Sequence, residues 1–210
     1  VLNVDKTALS NGKIILTKQD APNSHSIVTA GTWPEEDTIL IVNPESLVEL
    51  ANGEIGEVWC QNKSIGEGYW KNPSATEHYF NAFTSAHRGP FLRTGDLGFI
   101  HENELFITSR IKDLIIIRGR NYSASDIEWA CHDAHPQLRK GGLCAFTYST
   151  NFEEKLCILC EIKQEPAAPE DVFKSIRNRV NFHFEIKTND IILLPKDSIT
   201  KTSSGKLKRS

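Results

Sequence analysis

The sequence predicts an α+β protein in two parts, a strand-rich first half followed by a small α+β domain. Short apolar runs separated by turn signals fill the segment before residue 110, which favours a distorted β-barrel-like or sheet subdomain. After residue 110, apolar strands alternate with two amphipathic helical patterns over roughly a hundred residues, a size typical of a separate domain. We therefore divide the chain into 1–109 and 110–210.

The composition is that of an ordinary globular protein. Hydrophobic residues make up 39% and charged residues 24% of a chain of 210 residues, long enough to bury a core. A formal net charge of −3 gives no field that favours nucleic acid or an anionic membrane as a partner. No apolar run is long enough to span a bilayer, and the first residues are not a signal peptide. Five scattered cysteines form a poor disulfide framework, which favours the reducing cytoplasm.

In the first half, apolar runs predict strands at 13–17, 38–42 and 54–60. A capping-box pattern at 74–77 predicts a short helix that begins at Ser74 and ends near Phe83. Next comes a tight turn at Thr94-Gly95, which presents Asp96 and leads into a hairpin-like segment that ends at Arg110.

The second half has clearer periodicity. An apolar strand at 114–117 precedes a helix that begins at Ser123, with apolar residues at i, i+3, i+4 and i+7. Strands follow at 143–148 and 156–162, and a second amphipathic helix covers 171–184. A last strand at 191–194 is stopped by Pro195.

Three polar side chains in the middle of the chain are candidates for ligand binding. An ionised Asp96 has two acceptor oxygens, which match a vicinal diol that donates two hydrogen bonds. Arg110 and Lys112 precede the apolar strand at 114–117. Taken alone, composition favours the plainer interpretation, in which Asp96 caps its own turn and the two cations flank the strand in solvent.

Lys206 is the more suggestive cation. It follows Thr202-Ser-Ser-Gly205, a run of small residues that predicts a loop rather than a packed element. A lysine in such a loop can approach a phosphate or a carboxylate as a point charge. The alternative is a frayed basic tail, as is common at chain ends.

Two further patterns point to packing rather than chemistry. Cys157 and Cys160 have the spacing of a metal knuckle, but residues three apart on a strand face opposite sides. His132 and His135 stand near a predicted helix end, where capping or solvated roles are ordinary. No metal site is predicted.

Three longer motifs occur in a fixed order. They are RTGD at 93–96, SRIKDLIIIRGRN at 109–121 and LPKDSITKTSSGKLKR at 194–209, and GEIGEVW at 53–59 and GEGYW at 66–70 fit the same order. With these motifs, the chain resembles the C-terminal part of the adenylate-forming enzymes. It looks most like the fatty acyl-AMP ligases, since KDLIIIRGRN is typical of that branch, as is the DxxALxxGK-like segment at 5–13. Members of that branch usually continue with His-Tyr-Pro, where this chain has Tyr122-Ser123-Ala124.

The resemblance implies roles for three residues at the nucleotide. Asp96 would accept the two ribose hydroxyls of ATP, and Arg110 would reach the same ribose and nearby phosphate oxygens. Ile107 would line the nucleotide pocket. The ATP would carry Mg²⁺, held mainly by the nucleotide phosphates and by residues upstream of this chain.

Three further residues are implied to serve the two half-reactions. Lys206 would be the catalytic lysine that bridges the acyl carboxylate and the α-phosphate, where an ammonium offsets the repulsion between two anions. Lys112 would be the hinge of the small domain, and Gly119 would face the acyl acceptor.

The resemblance also implies what the whole protein does. Residues 1–109 would end a large N-terminal domain, and 110–210 would be the small mobile C-terminal domain. The expected reaction forms a fatty acyl-AMP and passes the acyl group to the phosphopantetheine thiol of an acyl carrier protein. Since the phosphate-gripping loop and the acyl pocket would lie upstream of Val1, we expect this piece alone to be inactive. The alternatives are an acyl-CoA synthetase and a non-catalytic interaction domain on the same scaffold.

Overall fold

The chain folds as two units, Val1–Lys112 and Asp113–Ser210. The computed structural model describes residues 1–150, 153–164, 167–202 and 207–208. The α+β class is confirmed, because the chain combines mainly antiparallel sheets with a few helices. Contacts separate after Lys112, since Arg110 is still paired with Asp96 in the sheet of the first unit. The boundary at 109/110 stays a prediction for the intact protein.

The first unit is built on an antiparallel five-stranded sheet in the order β3-β7-β6-β5-β4. Its strands are β3 (Thr29–Gly31), β4 (Thr38–Val42), β5 (Gly56–Gln61), β6 (Leu92–His101) and β7 (Glu104–Arg110). The predicted strands at 38–42 and 54–60 are therefore confirmed as β4 and β5. The hairpin is confirmed as β6–β7, and its turn residues Glu102 and Asn103 both have positive φ, as two-residue hairpin loops require.

The N-terminal segment differs from the expectation. β1 (Leu2–Asp5) pairs with β2 (Ser24–Ile27), and the short helix α1 (Lys6–Ser10) has Asp5 as its N-cap, whose side chain accepts the Ala8 N–H at 2.8 Å. The strand predicted at 13–17 is wrong, because this run makes isolated bridges to Val4 and Glu54 rather than a ladder. Ile15 and Leu16 are more than half exposed, and only Ile14 of this apolar run packs against the core of the first unit.

Helix α2 (Pro73–Phe80) begins earlier than predicted. Its N-cap is Asn72, which accepts the Ala75 N–H at 3.1 Å, and not Ser74. The reason is local, since proline suits the first helical position and asparagine is a strong N-cap. The helix also ends three residues before the predicted Phe83, at Phe80.

Apolar clusters cover the two faces of the first sheet. One face carries Trp59 with Phe91, and the stacked pair Phe99 and Phe106 that packs against β1 and β2. The opposite face carries Ile41, Val58 and Ile100. Much of the sheet is therefore covered by apolar side chains. A polar side chain in it needs either a hydrogen-bond or charge partner or access to solvent.

The second unit combines a hairpin, a three-stranded sheet and two helices. Its elements are β8 (Leu114–Ile117), β9 (Arg120–Ser123), α3 (Ala124–Cys131), β10 (Leu138–Thr150), β11 (Glu153–Ile162), α4 (Pro169–Phe184) and β12 (Thr188–Leu194). The sheet order is β10-β11-β12, and β12 runs parallel to β11 after the α4 crossover. The predicted strands and helices of this half are all confirmed, including the start of α3, where Ser123 accepts the Asp126 N–H at 3.3 Å.

The helical periodicity predicted the core of the second unit. Ile127 and Cys131 of α3 are buried together with the apolar stripe of α4 and the inner face of β11. The buried residues of α4 and β11 in this cluster are Val172, Ile176, Val180, Leu156, Ile158 and Cys160. Within the described part of the chain, no helix has the length and apolar character needed to cross a membrane.

Candidate active site

Asp96 lies in a bulge of strand β6 and not in the turn that the sequence predicted. Between the pairs Trp59–Arg93 and Glu57–Leu97, β5 has Val58 alone, whereas β6 has the three residues from 94 to 96. Gly95 adopts a φ of +73°, a left-handed conformation that glycine reaches without a steric penalty. The glycine was thus correctly recognised as a special backbone position, but the position is a bulge.

The carboxylate of Asp96 is paired with Arg110 across the sheet. The two residues are opposite each other on β6 and β7, and Arg110 Nε donates to Asp96 Oδ1 at 2.9 Å. Asp96 is 29% exposed and Arg110 is 59% exposed, so both can reach a ligand from solvent. No hydrogen bond from the described residues reaches Asp96 Oδ2. The side chain therefore does not simply cap its own loop, and acceptor capacity remains.

Ile107 lies on the same face of the sheet as this pair. It is opposite Gly98, and Gly98 is two residues from Asp96 on β6, so their side chains project to one side. Ile107 is 37% exposed, which is high for an isoleucine in an inner strand. The three predicted nucleotide residues are thus brought together on one face of the first unit.

A buried ion pair lies beneath the bulge, on the opposite face. Glu57 is 1% exposed, and its Oε2 accepts Arg93 Nε at 2.9 Å, Arg93 Nη2 at 2.7 Å and Trp59 Nε1 at 2.9 Å. Its other oxygen, Oε1, accepts the Gly95 N–H at 3.1 Å. The guanidinium also lies over the Trp59 ring, with Cζ 5.3 Å from the ring centre.

The predicted hinge and acceptor residues have exposed positions. Lys112 lies in a 3-10 turn (Ile111–Asp113) and is the last residue of the first unit. Gly119 follows Arg118 in the turn between β8 and β9, where both residues have positive φ. The roles of hinge and acceptor contact stay predictions for these two residues.

Lys206, the predicted catalytic lysine, lies outside the described residues. Its flanks are described: Lys201 and Leu207 form an antiparallel bridge, and the Lys208 N–H donates to the Thr200 carbonyl at 3.0 Å. The segment that precedes them is tied to the second unit by Glu161. This carboxylate is 0% exposed, and its oxygens accept Arg139 Nη1 at 2.7 Å and the Ile199 N–H at 2.9 Å.

The weaker signals are resolved by packing. Cys157 and Cys160 are both buried, and burial raises the pKa of each thiol, so neither is a ready metal ligand at neutral pH. His132 caps the end of α3, with its Nδ1 2.7 Å from the Trp129 carbonyl oxygen. Among the described residues, no group of three or more His, Cys, Asp or Glu is placed to hold a metal ion.

Glu57 and Arg93 both lie within the sequence motifs, but the sequence did not identify either as a site residue. A signal was present in the sequence. Glu57 and Trp59 are two residues apart on a predicted strand, so they share a face, and this places an acid beside a large apolar side chain. An acid at such a position requires a cationic partner if it is to be buried. The identity of that partner depends on the strand register, which the sequence does not specify.

Comparison with known proteins gives a consistent result. No family model matches the chain. A medium-chain fatty acid–acyl carrier protein ligase, JamA, from Moorena producens is 35% identical over 216 residues, covering 100% of this chain and 36% of the relative. A long-chain fatty acid–AMP ligase, FadD26, from Mycobacterium marinum is 32% identical over 98% of this chain and 36% of its own length. The chain thus spans about a third of the curated relatives that it matches.

Solved structures agree. The fatty acyl-adenylate ligases of E. coli and L. pneumophila provide a match with a TM-score of 0.80 at 30% identity, covering 99% of this chain and 36% of the other. The fold and the motifs thus match the C-terminal part of the adenylate-forming enzymes. Within that class, the chain is a homologue of the C-terminal part of the fatty acyl-AMP ligases.

Proposed function

We propose that the intact protein is an ATP-dependent fatty acyl-AMP ligase that delivers its acyl group to an acyl carrier protein. The observation that carries this proposal is the cross-strand pair Asp96–Arg110, with Ile107 on the same sheet face. The relatives support it, since they are named as fatty acid–AMP and fatty acid–carrier protein ligases. A cytoplasmic location, expected from the cysteine pattern, belongs to the same proposal.

In the first half-reaction, a carboxylate oxygen of the fatty acid attacks the α-phosphorus of ATP. The bond from this phosphorus to the bridging oxygen breaks, and pyrophosphate leaves. Asp96 accepts the ribose hydroxyls, Arg110 donates to the ribose and to a phosphate oxygen, and Ile107 contacts the nucleotide. Lys206 offsets the repulsion between carboxylate and phosphate, where an ammonium that is held in place lowers the barrier most. Mg²⁺ bound together with the nucleotide would supply further charge neutralisation.

In the second half-reaction, the thiol sulfur of a phosphopantetheine arm attacks the acyl carbonyl carbon. The bond between that carbon and the AMP oxygen breaks, AMP leaves and the thiol proton is released. We assign the pivot between the two steps to Lys112, which lies at the division between the two units, and the acceptor contact to Gly119. Adenylation and transfer require different arrangements of one site, which a hinge between two domains provides.

The test is fatty acid-dependent exchange of pyrophosphate into ATP by the full-length protein, followed by transfer to carrier protein or to CoA. We expect exchange with a fatty acid present, transfer to the carrier protein, and little acyl-CoA. The 210-residue chain alone should show no exchange, because it spans about a third of the relatives. Lys206→Ala should reduce exchange by about 100-fold or more with the fold unchanged, in line with the loss of a group that stabilises transition-state charge.

Two outcomes would contradict parts of this proposal. Rapid release of acyl-CoA would replace the carrier protein with CoA as acceptor. Absence of both exchange and nucleotide binding in the full-length protein would favour a non-catalytic interaction domain. Lys208→Ala is the matched control, since it removes a cation from the same basic tail, and we expect exchange within about twofold of the unsubstituted protein because exposed charges contribute little.

A further inference from the structure

Glu57 is the most deeply buried charge of the first unit. A carboxylate in an apolar layer is costly unless cations and hydrogen bonds compensate it. Here Oε2 accepts three donors, from the Arg93 guanidinium and the Trp59 indole, and Oε1 accepts the Gly95 N–H. The arrangement uses both oxygens of Glu57, so a neutral side chain of the same size cannot reproduce it.

These contacts hold the β6 bulge from below. The bulge takes Gly95 out of the ladder with β5, and Glu57 Oε1 supplies the acceptor for its N–H. Thr94 fixes the backbone at Asp96, because its hydroxyl donates to the Val58 carbonyl at 2.7 Å and accepts the Asp96 N–H at 3.1 Å. The backbone N–H groups of Gly95 and Asp96 are therefore both hydrogen-bonded to side chains, which fixes the backbone that carries the Asp96 carboxylate.

Glu57 does not touch a ligand bound at Asp96. Asp96 projects to the face of Val58 and Gly98, whereas Glu57 and Trp59 project to the opposite face. With 1% of its surface exposed, Glu57 acts only through the backbone of the bulge.

We propose that Glu57 is a positioning residue that sets the orientation of Asp96 for a nucleotide diol, with Thr94 as the second contact. This inference rests on the proposed function, in which Asp96 accepts both ribose hydroxyls of ATP. The two hydroxyls of one diol must be met at once, so a small rotation of the carboxylate weakens one hydrogen bond at least.

The test compares ATP with 2′-deoxy-ATP in the acyl-adenylation reaction of the full-length protein. The unsubstituted protein should prefer ATP by about 10- to 100-fold in kcat/KM, because the deoxy analogue leaves one acceptor of Asp96 unmet. Glu57→Gln should raise the KM for ATP by about tenfold and reduce the preference to about threefold or less, while the KM for the fatty acid is unchanged. A residue with only a structural role would lower both rates alike and keep the ratio.

Glu49→Gln is the matched control. Glu49 is also held by an arginine, with Arg88 Nη1 at 3.1 and 3.3 Å from its two oxygens, but this pair is exposed at the surface. We expect the Glu49→Gln protein to keep the nucleotide preference of the unsubstituted protein.

A second variant guards against misfolding of Glu57→Gln. Thr94→Val has the same shape and removes only the hydroxyl bonds within the bulge, and we expect it to narrow the nucleotide preference as well. An unchanged preference in folded Glu57→Gln, or in Thr94→Val where Glu57→Gln does not fold, would overturn the inference and leave the proposed function intact. A full-length protein that forms no acyl-adenylate would instead sink the proposed function, and this inference with it.

Discussion

Glu57 in the first unit and Glu161 in the second are buried carboxylates that stand beside a bulge in the neighbouring strand. Next to Glu57, one residue of β5 is opposite three residues of β6. At Glu161, the pairs Leu138–Ile162 and Leu143–Cys160 leave one residue of β11 opposite the four residues from 139 to 142 of β10. Each bulge contains a glycine with positive φ, Gly95 at +73° and Gly141 at +68°.

The two carboxylates differ in what they hold. Glu57 accepts a backbone N–H within the bulge itself, so it fixes the strand that carries Asp96. Glu161 accepts the side chain of Arg139, which comes from its bulge, and the backbone N–H of Ile199, beyond the last strand. Arg139 also donates to Asp197 at 2.5 Å. A buried carboxylate beside a bulge thus holds the strand that carries Asp96 in one unit, and it holds the segment after the last strand in the other.

Of the changes proposed, removing the arginine partner of either buried carboxylate should reduce stability most. Arg139→Met leaves Glu161 buried without its charged partner, which should lower the unfolding free energy of the second unit by clearly more than the loss of an exposed ion pair does. We expect amide hydrogen exchange to lose protection in β10, β11 and the segment around Ile199, while β5 and β6 are unchanged. Arg93→Met should have the opposite effect, with the loss of amide protection confined to β5 and β6.

The control for Arg139→Met is Arg179→Met. Arg179 pairs with Asp133 at 3.3 Å, and both side chains are well exposed, so this loss should stay below about 1 kcal/mol. If Arg139→Met costs no more than this control, Glu161 does not depend on its arginine and the two carboxylates are not equivalent devices.

The second bulge should also need a further glycine, Gly142, for a reason that differs from that of Gly95. A Cβ on Gly142 would lie 2.8 Å from both Cβ and Oε2 of the buried Glu161, so Gly142→Ala should cost about 1–3 kcal/mol by overpacking. Gly95 has open space around it and a φ of +73°, so Gly95→Ala should cost about 1–2 kcal/mol through backbone strain alone.

Urea unfolding of these two variants would measure both losses. The control is Gly66→Ala, where a Cβ meets nothing within 4 Å and φ is not in the left-handed range. A loss for Gly142→Ala no larger than that for Gly66→Ala would mean that β10 moves away from Glu161 freely, and the space argument would be wrong.

The sequence was sufficient for the elements whose signal is local. Periodicity predicted α3 and α4 with their buried faces, and apolar runs predicted β4, β5, β8 and β11. Local chemistry misled where two signals competed: Ser74 matched a capping box, but Asn72 before Pro73 made the better start. The run at 13–17 has strand composition, but it pairs at single positions with two different partners, Val4 and Glu54, and forms no ladder with either.

The candidate site was predictable only in part. Asp96 and Arg110 come from separate motifs and are 14 residues apart in sequence. Their hydrogen bond of 2.9 Å depends on the register of the β6–β7 hairpin. Glu57 is more remote still, 38 residues before the Gly95 N–H that it accepts. Such contacts depend on bulges, which shift register by whole residues and leave no periodic trace in the sequence.

Acid should weaken the contact between Glu161 and the segment around Ile199, and we expect this effect to be the smallest of those predicted. Burial raises the pKa of Glu161, but hydrogen bonds from the Ile199 N–H and from Arg139 outweigh it, so the pKa lies below the usual 4.5. The stability that this group contributes is therefore fully present above pH 4.5 and is lost as the pH falls through the folded-state pKa. Protection of the Ile199 amide should decline over that window, and Glu161→Gln should have a flatter profile. Asp197, whose pKa Arg139 also lowers, should leave a residual slope. Equal slopes in the two proteins would show that the segment after β12 is not held through the charge of Glu161.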